Sequence, residues 1–225
     1  MIYVQTADVK EIEIRHGEVL RYLGFGKSSP DAQMQQQIEA VTQEVFFSLS
    51  CRACFSLCDI NVNGQTIDFG TFRVNSAGLS KNLRGCVRAV LFGATVGAGA
   101  DRIIAKYSKL SPAAAVIAQA AGAAAIESWC DLFCARLSDK LKAETVFLRP
   151  RFSPGYGDFA LSHQRDLFRV LECPKQIGVS LTDSLMMTPS KSVSAVIGIS
   201  SEDTQCNKSG CEACDKREDC AYSRG

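Results

Sequence analysis

The sequence predicts an α+β fold, and three observations carry that reading. Ser111-Pro112 opens a stretch with helical periodicity that reaches about Lys142. Two apolar, strand-like runs flank Asn63-Gly64, a strong turn signal. Long helical and short extended segments alternate irregularly, without the regular strand–helix–strand order of a parallel sheet. The chain has 225 residues, enough for one large domain or a domain with a small appendage.

The elements follow in order. Residues 17–25 (GEVLRYLGF) read as a short helix ended near Gly24 and Gly26. Ser29-Pro30-Asp31 predicts the next start, with Ser29 as N-cap and Pro30 in the first helical position; that helix runs to about Ser50. Residues 54–62 and 66–74 form the predicted hairpin around Asn63-Gly64. The apolar phase of its second strand slips between Phe69 and Phe72, which predicts a bulge at Gly70. Ser80 caps a predicted helical turn, and an apolar run extends from Cys86 to Val96.

A helix is expected from about Gly99 to Lys109, and then the long one. Alanine fills the first half of the long helix. Its second half is amphipathic, with Trp129, Leu132, Phe133 and Leu137 at helical spacing. Residues 145–152 read as extended, 162–171 as a short helix, and 184–188 and 193–200 as closing strands. Residues 1–200 thus form the predicted domain. Residues 201–225, polar and cysteine-rich, form an appendage.

Hydrophobic residues make up 46% and charged residues 22% of the chain, with net charge +1, so no strong field draws it to nucleic acid or an anionic membrane. The most apolar stretch, Pro112 to Ile126, falls short of the roughly 20 residues of a membrane span. Met1 to Lys10 lacks a basic segment followed by an apolar core, so a cytoplasmic protein is expected.

Residues 149–161 (RPRFSPGYGDFAL) make a loop of restricted conformation. Pro150 and Pro154 fix φ, Gly155 and Gly157 permit positive φ, and Arg151 and Tyr156 project from it. A guanidinium grips a carboxylate with two hydrogen bonds, and a phenol covers a flat heterocycle. From residue types alone, such a loop is also an ordinary structural turn.

The order of motifs from Arg149 to Ser200 resembles the activation domain of cobalamin-dependent methionine synthase. That family has an Arg-x-x-Pro-Gly-Tyr loop, which reads here Arg151-Phe152-Ser153-Pro154-Gly155-Tyr156. A helix follows, then Ile177-Gly178-Val179-Ser180-Leu181-Thr182-Asp183-Ser184, Met187, Pro189 and Ser192-Val193-Ser194. The region around Ala94 to Ala125 resembles the family more loosely.

The resemblance implies a bent antiparallel sheet flanked by helices, and an S-adenosylmethionine site containing Arg151 and Tyr156, shaped by Pro154 and Gly155. Thr182, Ser184 and Ser194 match polar positions of the second motif; they either line that site or cap and bridge the strands. It further implies cobalamin held by methionine synthase modules on a separate chain, and an electron donor such as flavodoxin or ferredoxin. The implied activity is reductive methylation of stalled cob(II)alamin. Gly157 stands where a proline often follows the tyrosine, and the aromatic residues that follow the family's Ser-Val-Ser strand are absent.

Glu127 and Asp131 lie at i and i+4 on one helix face, suited to a sulfonium or simply to solvent. Cys206, Cys211, Cys214 and Cys220, spaced C-x4-C-x2-C-x5-C, suit a zinc ion or an iron–sulfur cluster. Cys51, Cys54 and Cys58, by contrast, read as core residues, as do Cys86, Cys130, Cys134 and Cys173. Gly97 to Arg102 holds a Gly-x-Gly but lacks the third glycine of a dinucleotide site. His16 and His163 are too far apart in sequence to argue for a metal site or a serine triad. Two alternatives stand beside the main reading: an iron–sulfur electron-transfer or redox protein, and an activator of a different corrinoid methyltransferase.

Overall fold

A computed structural model describes residues 1–25, 28–141 and 146–201. The N-terminal strand β1 (Tyr3–Ala7) leads through a 3₁₀ turn at Val9–Glu11 to α1 (His16–Tyr22) and α2 (Ala32–Phe47). β2 (Cys51–Asp59), β3 (Asn61–Asn63), β4 (Thr66–Asp68) and β5 (Arg73–Asn75) follow, then α3 (Ala77–Asn82) and β6 (Cys86–Thr95). Next come α4 (Ala98–Leu110), α5 (Pro112–Leu141) and β7 (Phe147–Leu148). A 3₁₀ turn at Leu161–His163, α6 (Gln164–Leu171), α7 (Cys173–Ile177), β8 (Ser180–Leu181), β9 (Met187–Thr188) and β10 (Ser192–Ser200) complete it.

The main sheet is antiparallel, in the order β1-β2-β6-β10-β7. Its three long central strands come from distant parts of the sequence. Side chains alternate between faces, and each face has its own core. On one face Ala195, Ile197 and Ile199 of β10 join Phe92 of β6 under α1, α2 and α5. On the other, Val196 joins Leu91 beneath α6, α7 and the small β3-β4-β5 sheet.

α5 organises the first core. Ala114, Ala118, Ala121 and Ala125 recur every third or fourth residue and are buried, so neighbouring backbones come close. The same stripe continues with Trp129, Phe133 and Leu137. Phe133 stacks on Phe92 with ring centroids 4.4 Å apart, and the Trp129 indole donates to the Arg52 carbonyl at 3.1 Å. By length and composition α5 is apolar enough to cross a membrane, contrary to the sequence-based expectation. However, 61% of its apolar window is buried within the domain, as in a core helix.

The two glycines of the rejected nucleotide motif have structural roles. Gly97 takes φ +83° as the N-cap of α4. Gly99 lies where a Cβ would come within 1.9 Å of the Ser48 carbonyl oxygen at the end of α2.

Several local expectations are corrected. The N-cap of α2 is Asp31, whose side chain accepts from the Met34 N–H at 2.8 Å, so Pro30 lies outside the helix. The cap of α3 is Ser76, not Ser80; the Ser80 hydroxyl instead reaches the Gly64 carbonyl. The hairpin at Gly64 joins the short strands β3 and β4, while β2 belongs to the main sheet. Gly70 is no bulge. With φ +77° it sits in a loop that reverses the chain, closed by the Phe69 N–H bonding the Phe72 carbonyl at 3.0 Å, so that β4 pairs with β5. Strand β1 and helix α7 had no expectation in the sequence.

Candidate functional site

The loop between β7 and α6 is pinned at both ends. Phe152 exchanges two 2.9 Å backbone hydrogen bonds with Val196 of β10, and Phe159 is fully buried. Between them the chain folds into a compact turn. The Tyr156 N–H donates to the Ser153 carbonyl at 3.1 Å, and the Gly155 N–H to the Phe159 carbonyl at 2.7 Å. Gly155 (φ +91°) and Gly157 (φ +56°) use the positive φ their sequence allows. Pro154 is buried under the turn, while Tyr156 stands 68% exposed with its edge against Phe152.

Residues 151 and 152 point to opposite sides, as in a strand. Phe152 enters the core beneath α6, and Arg151 reaches α5. There one guanidinium nitrogen donates to Glu127 at 2.8 Å and the other to Asp131 at 2.8 Å, with the Cys134 sulfur 3.7 Å away. The i,i+4 carboxylates noted in the sequence thus form a fork that holds the loop arginine. The arginine is 21% exposed; the carboxylates are 41% and 59% exposed and open to solvent on their far side.

That far side is a cavity of about 300 Å³. Glu127 and Asp131 form one wall, and Glu11, Glu13, Arg15 and Glu18 from the segment around α1 form the other. Each of these five carboxylates has an arginine partner: Arg136 for Glu11, Arg15 for Glu13, Arg21 for Glu18, and Arg151 for both Glu127 and Asp131. Arg136 offsets part of this charge, its hydrogen bond holding Glu11 below the usual carboxylate range.

The polar residues of the second motif sit elsewhere. The Thr182 hydroxyl lies 3.0 Å from the Ser184 hydroxyl and accepts from the Met186 N–H at 3.0 Å, so both residues shape the turn between β8 and β9. Ser194 is buried in β10 opposite Gly93. It shares the strand face of Val196, opposite the face that α5 covers. The structure therefore joins Arg151 with Glu127 and Asp131, sets Tyr156 of the same loop against Phe152, whose side chain points the other way, and places Thr182, Ser184 and Ser194 apart from the arginine cluster.

Sequence reasoning passed over Asp158, two residues after the tyrosine. Its carboxylate accepts from the Ser76 hydroxyl (2.6 Å), the Ala77 N–H (2.6 Å) and the Gly78 N–H (3.0 Å) at the start of α3. The hydrogen bond from Ser76, joined by those of Gly78 and Ala77, holds its pKa below the usual aspartate value. Nothing in the local sequence points to partners some eighty residues away. The cavity residues before α1 were missed for the same reason.

Among the described residues no group of three or more ligating side chains could hold a metal. Cys51 and Cys54 are buried in β2; burial pushes the Cys51 thiol up to about 12 and that of Cys58, with Asp59 adding to it, to about 11, which keeps both protonated. His163 bonds Asp166 at 2.9 Å and stacks on Phe159, and His16 begins α1. Cys206, Cys211, Cys214 and Cys220 lie outside the described residues.

Fold and site together define an α+β domain with a cavity between its long helix and the segment around α1, and with a proline-glycine loop whose arginine is tied to that same helix. Residues 135–222 match the family described as "Vitamin B12 dependent methionine synthase, activation domain", a segment that contains the loop and the second motif. This segment is similar to that activation-domain family. Its curled antiparallel sheet and helices superpose on a crystal structure described as the MetH reactivation domain bound to AdoHcy. The TM-score is 0.63 at 15% identity, covering 91% of this chain and 79% of that one. At that identity the likeness is one of fold. No curated protein matches the sequence.

Proposed function

We propose that this chain binds S-adenosylmethionine and supports reductive methylation of cob(II)alamin carried by a cobalamin-binding methionine synthase module supplied in trans, in the cytoplasm. The observation that carries the reading is Arg151 forked between Glu127 and Asp131, two carboxylates that also line the cavity. An amino-acid zwitterion complements that set: its carboxylate takes the guanidinium, and its ammonium takes the carboxylates the guanidinium releases. No net charge is stranded by the exchange, which keeps its cost low. When bound, S-adenosylmethionine supplies a methyl group on cationic sulfur, and the acidic cavity wall offsets that positive charge. Tyr156, largely exposed, is free to cover the flat base.

The chain's contribution is then orientation, not proton transfer. Transfer of a methyl group to a reduced metal removes no proton, and the residues joined at this site include no nucleophile–base pair. The proposal assigns residues 1–200 to the ligand-binding domain. In it Pro154 and Gly155 shape the loop, while Thr182, Ser184 and Ser194 support the neighbouring turn and strand. The comparison protein is described with AdoHcy bound, in keeping with a ligand of this class.

A calorimetric titration with S-adenosylmethionine tests the binding. Affinity in the micromolar range that weakens in Arg151→Ala supports it, and no heat at millimolar ligand overturns it. Methylcobalamin formation with a methionine synthase corrinoid module, a flavodoxin or ferredoxin and a reductant tests the activity; the same assay with another corrinoid methyltransferase tests the alternative partner. The C-x4-C-x2-C-x5-C spacing supports a second element, a zinc or iron–sulfur site on Cys206, Cys211, Cys214 and Cys220 in residues 201–225. Metal analysis of anaerobically purified protein tests it. Deleting those residues separates the readings: ligand binding survives in an activation domain, and function is lost in an iron–sulfur carrier.

A further inference from the structure

The N-terminus of α3 is in contact with the ligand loop on both sides of Tyr156. Before the tyrosine, the Phe152 ring packs on Gly78, so closely that a Cβ at Gly78 would lie 3.1 Å from Phe152 Cζ. After it, the Asp158 carboxylate receives Ser76 Oγ and the N–H groups of Ala77 and Gly78. The same Cβ would lie 2.9 Å from Asp158 Oδ1. A side chain at position 78 would require the Asp158 carboxylate and the Phe152 ring to shift by a few tenths of an ångström. Ser76 serves twice: its hydroxyl oxygen accepts from the Leu79 N–H at 3.0 Å while its proton goes to Asp158.

We propose that Asp158 is a positioning residue for ligand binding, clamping the Arg151–Tyr156 turn onto the start of α3. The proposal rests on the binding site assigned above. Backbone hydrogen bonds among Ser153, Gly155, Tyr156 and Phe159 close the turn itself, while residues 155–158 are exposed and Tyr156 meets Phe152 in a T-shaped contact. With Phe152 and Phe159 anchored by burial, Asp158 is the charged tie between them, and it fixes how far the tyrosine swings from Arg151. Misplacing a binding group by about 1 Å costs up to two orders of magnitude in well-oriented sites, so a solvent-exposed hydrogen bond set can govern affinity without governing the fold.

The test compares wild type, Asp158→Ala, Asp158→Asn and Ser76→Ala. It measures S-adenosylmethionine affinity by calorimetry, backbone hydrogen exchange across residues 152–159 without ligand, and melting temperature. The proposal expects Asp158→Ala to weaken binding about tenfold and to speed exchange in the turn, with a melting temperature near that of wild type. Asp158→Asn keeps an acceptor oxygen and recovers most of both; Ser76→Ala falls between. Wild-type affinity in a correctly folded Asp158→Ala, or unchanged exchange in the turn, overturns the proposal. If wild type itself fails to bind, the ligand reading fails, and the exchange measurement alone decides the clamp.

Discussion

Arg151 Nη2 and Glu127 Oε2, from residues 24 apart in sequence, lie 2.8 Å apart and join a loop to the middle of α5. The contact brings together two things the sequence shows only separately: a cation in a proline-glycine turn and a pair of carboxylates one helical turn apart.

Removing that arginine is expected to cost affinity far more than stability. Charge-assisted hydrogen bonds to a carboxylate contribute about 1.5–3 kcal/mol, so Arg151→Ala should weaken S-adenosylmethionine binding at least tenfold. The carboxylates left behind are 41% and 59% exposed and rehydrate, so unfolding free energy should change by only about 0–1 kcal/mol. Calorimetry and urea denaturation of the same sample measure the two effects.

Gly99→Ala should be among the most damaging small substitutions in the molecule. The added carbon falls 1.9 Å from a backbone carbonyl oxygen of Ser48, which has no flexible end to yield. Forced displacement of α4 from α2 should exceed the usual overpacking cost of about 1–3 kcal/mol. Thermal melting should show a large drop or loss of the folded protein, and an unchanged transition would contradict the packing described.

Phe133→Ala should destabilise by about 3–5 kcal/mol. The ring is fully buried and contacts Phe92, Phe55 and Trp129 at once, so the cavity left cannot collapse from one side. Chemical denaturation monitored by Trp129 fluorescence provides the measurement.

Asp158 gives a pH signature. Its pKa is lowered in the folded state, so its contribution to stability is present above the ordinary value of 3.8 and is lost as pH falls through the lower folded value. The difference in hydrogen-exchange protection across residues 152–159 between wild type and Asp158→Ala should therefore be largest near neutrality and shrink in acid below 3.8. A difference that persists there would mean the interaction is not ionic.

How much of this was legible depends on the range of the interaction. α5 could be read along its whole length, because a Ser-Pro start and a stripe at three- and four-residue spacing are local signals. Caps were misplaced by a few residues, since Ser29 and Asp31, or Ser76 and Ser80, are chemically equivalent until the helix axis is known. β1 escaped notice because an edge strand with Tyr3 and Val4 half exposed has no clear alternation. The loop and the carboxylate pair were both visible. That they meet was not, since their approach depends on the bridge from Phe152 to Val196.

That bridge has a consequence for how the protein is made. During synthesis Arg151 emerges before the strand that seats its neighbour, and β10 is the last described strand to leave the ribosome. A nascent chain therefore carries Glu127, Asp131 and Arg151 before β10 slots between β6 and β7 and seats the loop that joins them. A small molecule that stabilises the finished domain has nothing to grasp earlier, so it should raise the endurance of mature protein without speeding its first folding.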